Sequence, residues 1–213
     1  MPITINGDGT ITGYTPPIAD GSITSAKLAN GAVGTTHLAA NSVTHAKTTG
    51  LQRRISTTVT LPAANSTTHN ITTGTKKIEI LVSRVSSANN SNLHLLLGDS
   101  GGIETSGYGH AMGFHRTGTS SREATVSNST AAFSTYGLDS AGYEIWGTWK
   151  LYNPQGNTWV AEHVFWGSAA SNHQFWGNGY KTLSDTMTQF RFECTSGNFD
   201  SGHITIVETM GDD

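Results

Sequence analysis

Residues 20–49 read DGSITSAKLA, NGAVGTTHLA and ANSVTHAKTT, three units of ten residues that follow one another without a gap. A β-branched aliphatic residue recurs at the same place in every unit, and a leucine stands five positions later in the first two units. The recurring aliphatic residues are Ile23, Leu28, Val33, Leu38 and Val43. Ten residues is not the period of a continuous helix, so the repeat predicts short helical turns joined by extended links.

The units of this repeat are too short to cover their own aliphatic side chains. Repeats usually bury such side chains by stacking on neighbouring repeats, and ordering a chain costs roughly 1–2 kcal/mol per residue. We therefore predict that the five aliphatic residues pack against identical chains around a common axis, wound with them into a rod-like shaft. The alternative is a flexible linker rich in Gly, Ser and Thr, and the regular aliphatic spacing argues against it.

The composition indicates exposed β structure and gives no sign of nucleic-acid binding. Charged residues make up 13% of the 213 residues, apolar residues 35%, and the net charge is −3 without a basic stripe. No run approaches the roughly 20 apolar residues of a membrane helix, and the N-terminus lacks a signal-peptide pattern. The single cysteine, Cys194, excludes an intrachain disulfide. We expect synthesis without a secretion signal, no membrane insertion, and a buried, structural thiol.

The remaining chain predicts short strands. Ile3, Ile5 and Ile11 on either side of a turn predict a small hairpin at the N-terminus, and apolar residues alternate with period two from Ile55 onward. The predicted strands are Ile55–Leu61, Lys76–Val85, Leu93–Leu97, Arg122–Val126, Tyr143–Tyr152, Thr158–Trp166, His173–Tyr180, Thr188–Cys194 and His203–Glu208. Such a series predicts an antiparallel β-sandwich or jelly roll. The chain thus divides into an N-terminal segment (1–19), a repeat shaft (20–50) and a β knob (51–213).

Three rows of apolar residues are predicted to face the core of this knob. They are Ile78, Ile80 and Val82; Phe190, Phe192 and Cys194; and Ile204 and Ile206.

Aromatic side chains share strand faces with amide and charged side chains. The candidates for ligand binding on two such faces are Trp146, Lys150, Tyr152, Gln174, Trp176, Asn178 and Tyr180. An aromatic ring can cover the apolar face of a pyranose while amides bind its hydroxyls, so these rows suit sugar recognition. Interfaces between subunits also enrich Trp and Tyr, and filling of the core is a third interpretation.

No pattern in the sequence points to catalysis, a metal or a cofactor. The segment GDSGG at 98–102 matches the nucleophile segment of chymotrypsin-like serine proteases, but too little chain precedes it to supply their first barrel with its base. We predict a hairpin there. The carboxylates are scattered and show no glycosidase dyad, and no His-X-His pair occurs. We expect no enzyme, no metal site and no cofactor.

The opening ITINGDGTITG at 3–13 resembles the start of many tail fibre proteins of tailed bacteriophages. The unit DGSITSAKLA at 20–29 is similar to their shaft repeats, and GGIETSGY at 101–108 is similar to a stretch of their C-terminal β domains. The resemblance implies a homotrimer held at its N-terminus in the tail or baseplate, with a knob that faces the bacterial surface. It implies no cofactor and transfers no binding residue, because fibre tips vary with the receptor.

Three functions follow from these features. The first is a virion tail fibre that attaches the phage to a bacterial polysaccharide or lipopolysaccharide through the knob without cleaving it, with avidity from three copies. The second is a structural adaptor fibre that carries another receptor-binding protein. The third, a glycan depolymerase, has the least support because no acidic pair is recognisable. In each case we expect assembly in the host cytoplasm, and a fibre that acts outside the next host cell.

Overall fold

The computed structural model describes residues 4–5, 7–8, 11–12, 54–116, 122–125, 131–135, 143–168 and 173–211. The chain divides into two units, Met1–Thr49 and Gly50–Asp213. The aliphatic residues of the predicted shaft, Ile23, Leu28, Val33, Leu38 and Val43, lie outside the described residues.

In the first unit, β1 (Thr4–Ile5) pairs antiparallel with β2 (Ile11–Thr12), which confirms the predicted hairpin. Glycine and aspartate at 7–8 form the turn between them.

The described secondary structure of the second unit consists of β-strands. They are β3 (Arg54–Thr60), β4 (Ser66–Asn70), β5 (Thr75–Ser87), β6 (Leu93–Asp99), β7 (Gly102–Ile103), β8 (Tyr108–Arg116), β9 (Arg122–Thr125), β10 (Phe133–Ser134), β11 (Glu144–Gln155), β12 (Thr158–Ser168), β13 (His173–Thr182), β14 (Gln189–Cys194) and β15 (Phe199–Met210). Each strand predicted in this unit is found. The prediction missed β4 and β8, together with the two-residue strands β7 and β10. Within the described ranges, no helix has the length and apolar character needed to cross a membrane.

The strands form two antiparallel sheets. The small sheet has the order β10-β6-β14-β4, with β7 paired to β6, and the large sheet has the order β3-β15-β5-β11-β12-β13-β8-β9. Apolar residues of both sheets join in one buried cluster, which for example contains Trp149 of β11 and Phe133 of β10 with ring centroids 6.2 Å apart. The fold is therefore mainly β and consistent with the predicted sandwich.

The rows predicted to face inward do line this core. Ile78, Ile80 and Phe190 are fully buried, and the rest of those rows is also buried. Fully burying a side chain of this size stabilises the fold by roughly 1.5–3 kcal/mol. The period-two pattern thus identified the core face of both sheets correctly.

The protease-like segment at 98–102 is a structural hairpin, as predicted. Strand β6 turns into β7 there, and the buried carboxylate of Asp99 accepts hydrogen bonds from the Gly101 amide (2.8 Å), the Ser184 hydroxyl (2.6 Å) and the Asp185 amide (3.0 Å). The hydrogen bond from Ser184 is the main cause that lowers the pKa of this carboxyl. Asp99 therefore ties the hairpin to the loop between β13 and β14.

Candidate functional site

The large sheet turns one face to the core and the other to solvent. Among the described residues, all of the large apolar side chains classed as exposed lie on this second face, which we call the outer face. They are Leu81, Val160, Val164, Trp166, Trp176 and Tyr180. Soluble proteins usually scatter such side chains singly, and a contiguous group of them marks an interaction surface.

The register of β11, β12 and β13 arranges the outer face in rows across the strands. From one end of the strands to the other, the rows are Trp146, Trp166 and Gln174; Thr148, Val164 and Trp176; Lys150, Glu162 and Asn178; and Tyr152, Val160 and Tyr180. Directly opposed side chains on an antiparallel pair are close neighbours. All the ligand-binding candidates from the sequence therefore lie on the outer face, with β12 between the two strands that carry them.

Strand β12 contributes side chains that the sequence analysis did not propose. Val160, Glu162, Val164 and Trp166 occupy its outer positions. The sequence does contain the pattern that would have identified them, because along β12 they alternate with Trp159, Ala161 and Phe165, which are buried. What the sequence could not supply was the order of the strands, which places β12 between β11 and β13.

A surface cavity of about 350 Å³ lies at the centre of these rows. It is lined by Thr148, Lys150, Glu162, His163, Val164, Trp176, Gly177 and Asn178. This volume falls at the low end of the range for small-molecule sites. Three of the predicted candidates, Lys150, Trp176 and Asn178, thus meet at one concave place.

Two aromatic rings of β13 occupy space that glycines of β8 leave free. Trp176 pairs with Gly113, and a Cβ atom on that glycine would lie 2.9 Å from Cε2 and Cζ2 of the indole. Tyr180 pairs with Gly109, where a Cβ atom would lie 2.5 Å from the ring carbon Cε1. Both rings therefore lie over the neighbouring strand, and they remain 41% and 58% exposed. Core filling is consequently the wrong interpretation for these two residues.

A charged row crosses the middle of the outer face. Lys150 lies between Glu79 of β5 and Glu162 of β12, and its Nζ atom is 3.5 Å from Oε1 of Glu162. The Tyr152 hydroxyl donates a hydrogen bond to the same oxygen at 3.2 Å. An exposed ion pair of this kind adds at most about 1 kcal/mol of stability. Its importance is chemical, since it places hydrogen-bond donors and acceptors beside the aromatic rings.

A second aromatic group stands at the end of the outer face near Gln174. The rings of Trp146 and Trp166 have centroids 5.2 Å apart and are tilted by 42°. Trp166 is 45% exposed, whereas Trp146 is half-buried beside it. Trp146 therefore acts mainly by packing against the exposed indole of Trp166, and less of its own ring is accessible to a ligand.

Beneath the cavity lies a buried group of polar rings. The ring of His163 stacks on that of His110, with ring centroids 5.6 Å apart, and its centroid lies 4.3 Å from that of the Trp149 ring. The ring nitrogens of these three residues have no hydrogen-bond partner among the described residues. Burial lowers the pKa of His163 to about 3 and that of His110 to about 4, so both are neutral near pH 7. The described residues include no group of three or more potential metal ligands.

The chain matches no family model, and searches of curated proteins and of solved structures found no match either. Function is therefore inferred from the chemistry of the outer face. That face offers exposed aromatic planes and amides, and its shallow cavity is lined by one ammonium, Lys150, and one carboxylate, Glu162. Such a set can bind a polyhydroxylated ligand through stacking and hydrogen bonds.

Proposed function

We propose that the chain is a bacteriophage tail fibre whose β domain attaches to a bacterial surface glycan through the outer face of the large sheet. The observation that carries the proposal is the arrangement on β13, where Trp176 and Tyr180 are exposed planes with Asn178 between them. Aromatic planes suit the apolar faces of sugar rings, and the amide suits their hydroxyls. The fibre binds the glycan without cleaving it.

The charged row favours a glycan over a dry protein interface. The cores of protein interfaces are depleted in Lys and Glu. Here Lys150 and Glu162 line the central cavity beside Trp176. A protein partner would have to bury or re-pair both charges, whereas sugar hydroxyls can donate to the carboxylate and accept from the ammonium.

The proposed assembly follows the resemblance of residues 3–13 and 20–29 to tail fibres. In it, an intertwined homotrimer buries the aliphatic residues of the shaft, and the N-terminal segment binds tail or baseplate proteins in the virion tail. Three copies of the outer face give avidity, so each site alone can be weak.

Cleavage of the glycan is not part of the proposal. A glycosidase needs a carboxylic acid and a second carboxylate that flank the scissile bond. On the outer face, Glu162 pairs with Lys150, and Glu79 pairs with Lys77 (3.1 Å) and Arg54 (3.3 Å). These ion pairs favour a role for both carboxylates in binding and stability.

One observation favours a second function, a structural adaptor. The exposed apolar group on the outer face would also serve as a contact to another protein or to another copy of the chain. In that case the outer face would be covered in the assembled fibre, and the fibre would not bind a glycan through it.

Binding of the purified full chain to host cells and to their extracted lipopolysaccharide tests the proposal. We expect Trp176→Ala to weaken binding, by about tenfold at each site through the loss of one stacking contact, while the oligomeric state in sedimentation stays that of the wild type. Thr58→Ala is the matched control, because this exposed residue lies on β3 at the far edge of the same sheet. A change of oligomeric state in Trp176→Ala would instead support the adaptor.

A further inference from the structure

The spacing of the aromatic residues indicates what kind of glycan the outer face would take. We propose that it binds an internal stretch of an extended, uncharged polysaccharide that runs along β13, and that it does not depend on a single terminal sugar. This inference rests on the proposed function and specifies its ligand.

The two exposed rings of β13 are too far apart to contact the same sugar. Trp176 and Tyr180 are four residues apart on one strand, which corresponds to about 13 Å at 3.3 Å per residue. That distance exceeds the length of one sugar ring. Each ring therefore forms a subsite of its own, and Asn178 offers its amide to the hydroxyls of the sugar between them.

Gln174 and Trp166 extend the series of aromatic and amide side chains beyond Trp176. Gln174 lies two residues before Trp176 on β13, or about 7 Å further along. Trp166 is directly opposite Gln174 on the neighbouring strand. From Tyr180 to Gln174, the series of aromatic and amide side chains spans about 20 Å. A terminal sugar would leave most of this series unused.

On the β8 side of β13, the residues that face outward are small and do not project above the sheet. The positions of β8 opposite Tyr180, Asn178 and Trp176 are Gly109, Ala111 and Gly113. The rings can therefore lie over β8, and no long side chain of β8 rises between them to block a ligand. On the other side, the exposed side chains of β12 form a border. The exposed row of β13 therefore runs between the small residues of β8 and the exposed side chains of β12.

The charges at the cavity fit a neutral ligand. Its lining contains one ammonium, Lys150, and one carboxylate, Glu162, and the two form an ion pair with each other. An acidic or a basic sugar would have to compete with one member of this ion pair for the other member. Hydroxyl groups can bind both members of the pair without disrupting the charge balance.

Size-graded oligosaccharides test this inference with the full-length protein. An array of bacterial surface polysaccharides first identifies a binding polymer, and partial acid hydrolysis of that polymer gives the series of lengths for calorimetry. We expect affinity to rise until the oligosaccharide spans both Trp176 and Tyr180. For such a long oligosaccharide, Trp176→Ala and Tyr180→Ala should each lower affinity about tenfold, which corresponds to the loss of one stacking contact. Raising the NaCl concentration should change affinity less than about twofold, because no net charge is engaged.

Three results would overturn the inference while leaving the proposed function intact. They are full affinity for a monosaccharide, wild-type affinity in Tyr180→Ala together with loss in Trp176→Ala, and a steep fall of affinity with salt. Tyr180→Phe is the control for folding and should retain binding, since it keeps the ring. If no polysaccharide on the array binds, both the inference and the proposed function fail.

Discussion

The indole of Trp176 lies over Gly113 of the adjacent strand, at a place where a Cβ atom would come within 2.9 Å of two ring carbons. The glycine thus sets the position of the most central aromatic side chain on the outer face. Gly113→Val should displace the indole and lower glycan affinity about tenfold or more, with little loss of stability because valine is well suited to a strand. Calorimetry and thermal unfolding measure the two effects. Unchanged affinity in a folded Gly113→Val protein would show that the ring position is irrelevant to binding, and Thr58→Val is the matched control.

The buried pair of His110 and His163 predicts that the protein loses stability in mild acid. Both side chains have a lowered pKa in the folded state, about 4 and about 3, because burial disfavours the charged form. In the unfolded chain they take up protons near the ordinary pKa of 6.5. The unfolding free energy should therefore fall as pH drops below 6.5, by up to about 1.4 kcal/mol per pH unit for each histidine.

Urea denaturation at a series of pH values measures this dependence. Replacing one histidine, as in His163→Phe, should reduce the slope between pH 6.5 and pH 4. Phe175→Leu is the control, since it removes core packing without a titrating group and should lower stability equally at each pH. A wild-type unfolding free energy that stays constant over this interval would contradict the prediction.

Much of the candidate site could be read from the alternation of single strands. In β13 the alternation places Gln174 and Trp176 on the same strand face, and the structure shows that this face is exposed while Phe175 on the other face is buried. Strand β8 was missed because glycines occupy outward positions and His110 an inward one, so the apolar period is lost. Strand β4 was missed because its residues, STTHN, include no aliphatic side chain.

The remainder of the site depends on strand order and register, which a single sequence does not encode locally. Trp176 meets Gly113 only because β13 pairs with β8, a strand far away in the chain. The contact between His110 and His163 also joins strands that are not adjacent in the sheet. Predictions for the shaft residues concern a segment outside the described ranges and remain predictions.

The buried ammonium of Lys181 should be important for stability. Its Nζ atom forms an ion pair with Glu104, donates a hydrogen bond to the Ser106 carbonyl at 2.9 Å, and lies 5.3 Å from the centre of the Tyr108 ring. Lys181→Met leaves the half-buried Glu104 without this partner and should cost about 2–4 kcal/mol. Adding Glu104→Gln should recover part of the loss. A double-mutant cycle by urea denaturation measures the coupling energy between Lys181 and Glu104. Strictly additive losses of stability in the two single variants and the double variant would contradict the prediction.

The thiol of Cys194 should not react in the folded protein. Burial is the main cause that raises its pKa to about 12, so the reactive thiolate is scarce. We expect a thiol reagent such as dithionitrobenzoate to react only after the protein is unfolded in urea. Rapid stoichiometric reaction of the native protein would show that this strand opens or that the thiol is accessible.

The repeat predicts that oligomerisation depends on its aliphatic residues. Val33→Asn in the middle unit should place a polar side chain where identical chains are expected to meet, and should weaken or abolish the trimer. Thr35→Asn, a substitution between aliphatic positions of the same unit, is the matched control and should leave it intact. Sedimentation equilibrium distinguishes the two outcomes. A wild-type protein that sediments as a single copy would contradict the trimer itself.

Hydroxyl-radical footprinting of the assembled fibre, with and without polysaccharide from its host, tests most directly whether the outer face is the glycan-binding surface. We expect Trp166, Trp176 and Tyr180 to be oxidised readily in the free fibre and to become protected when the polysaccharide is bound. If these side chains are already protected in the free fibre, or stay equally reactive while the polysaccharide is bound, the outer face is not the binding surface.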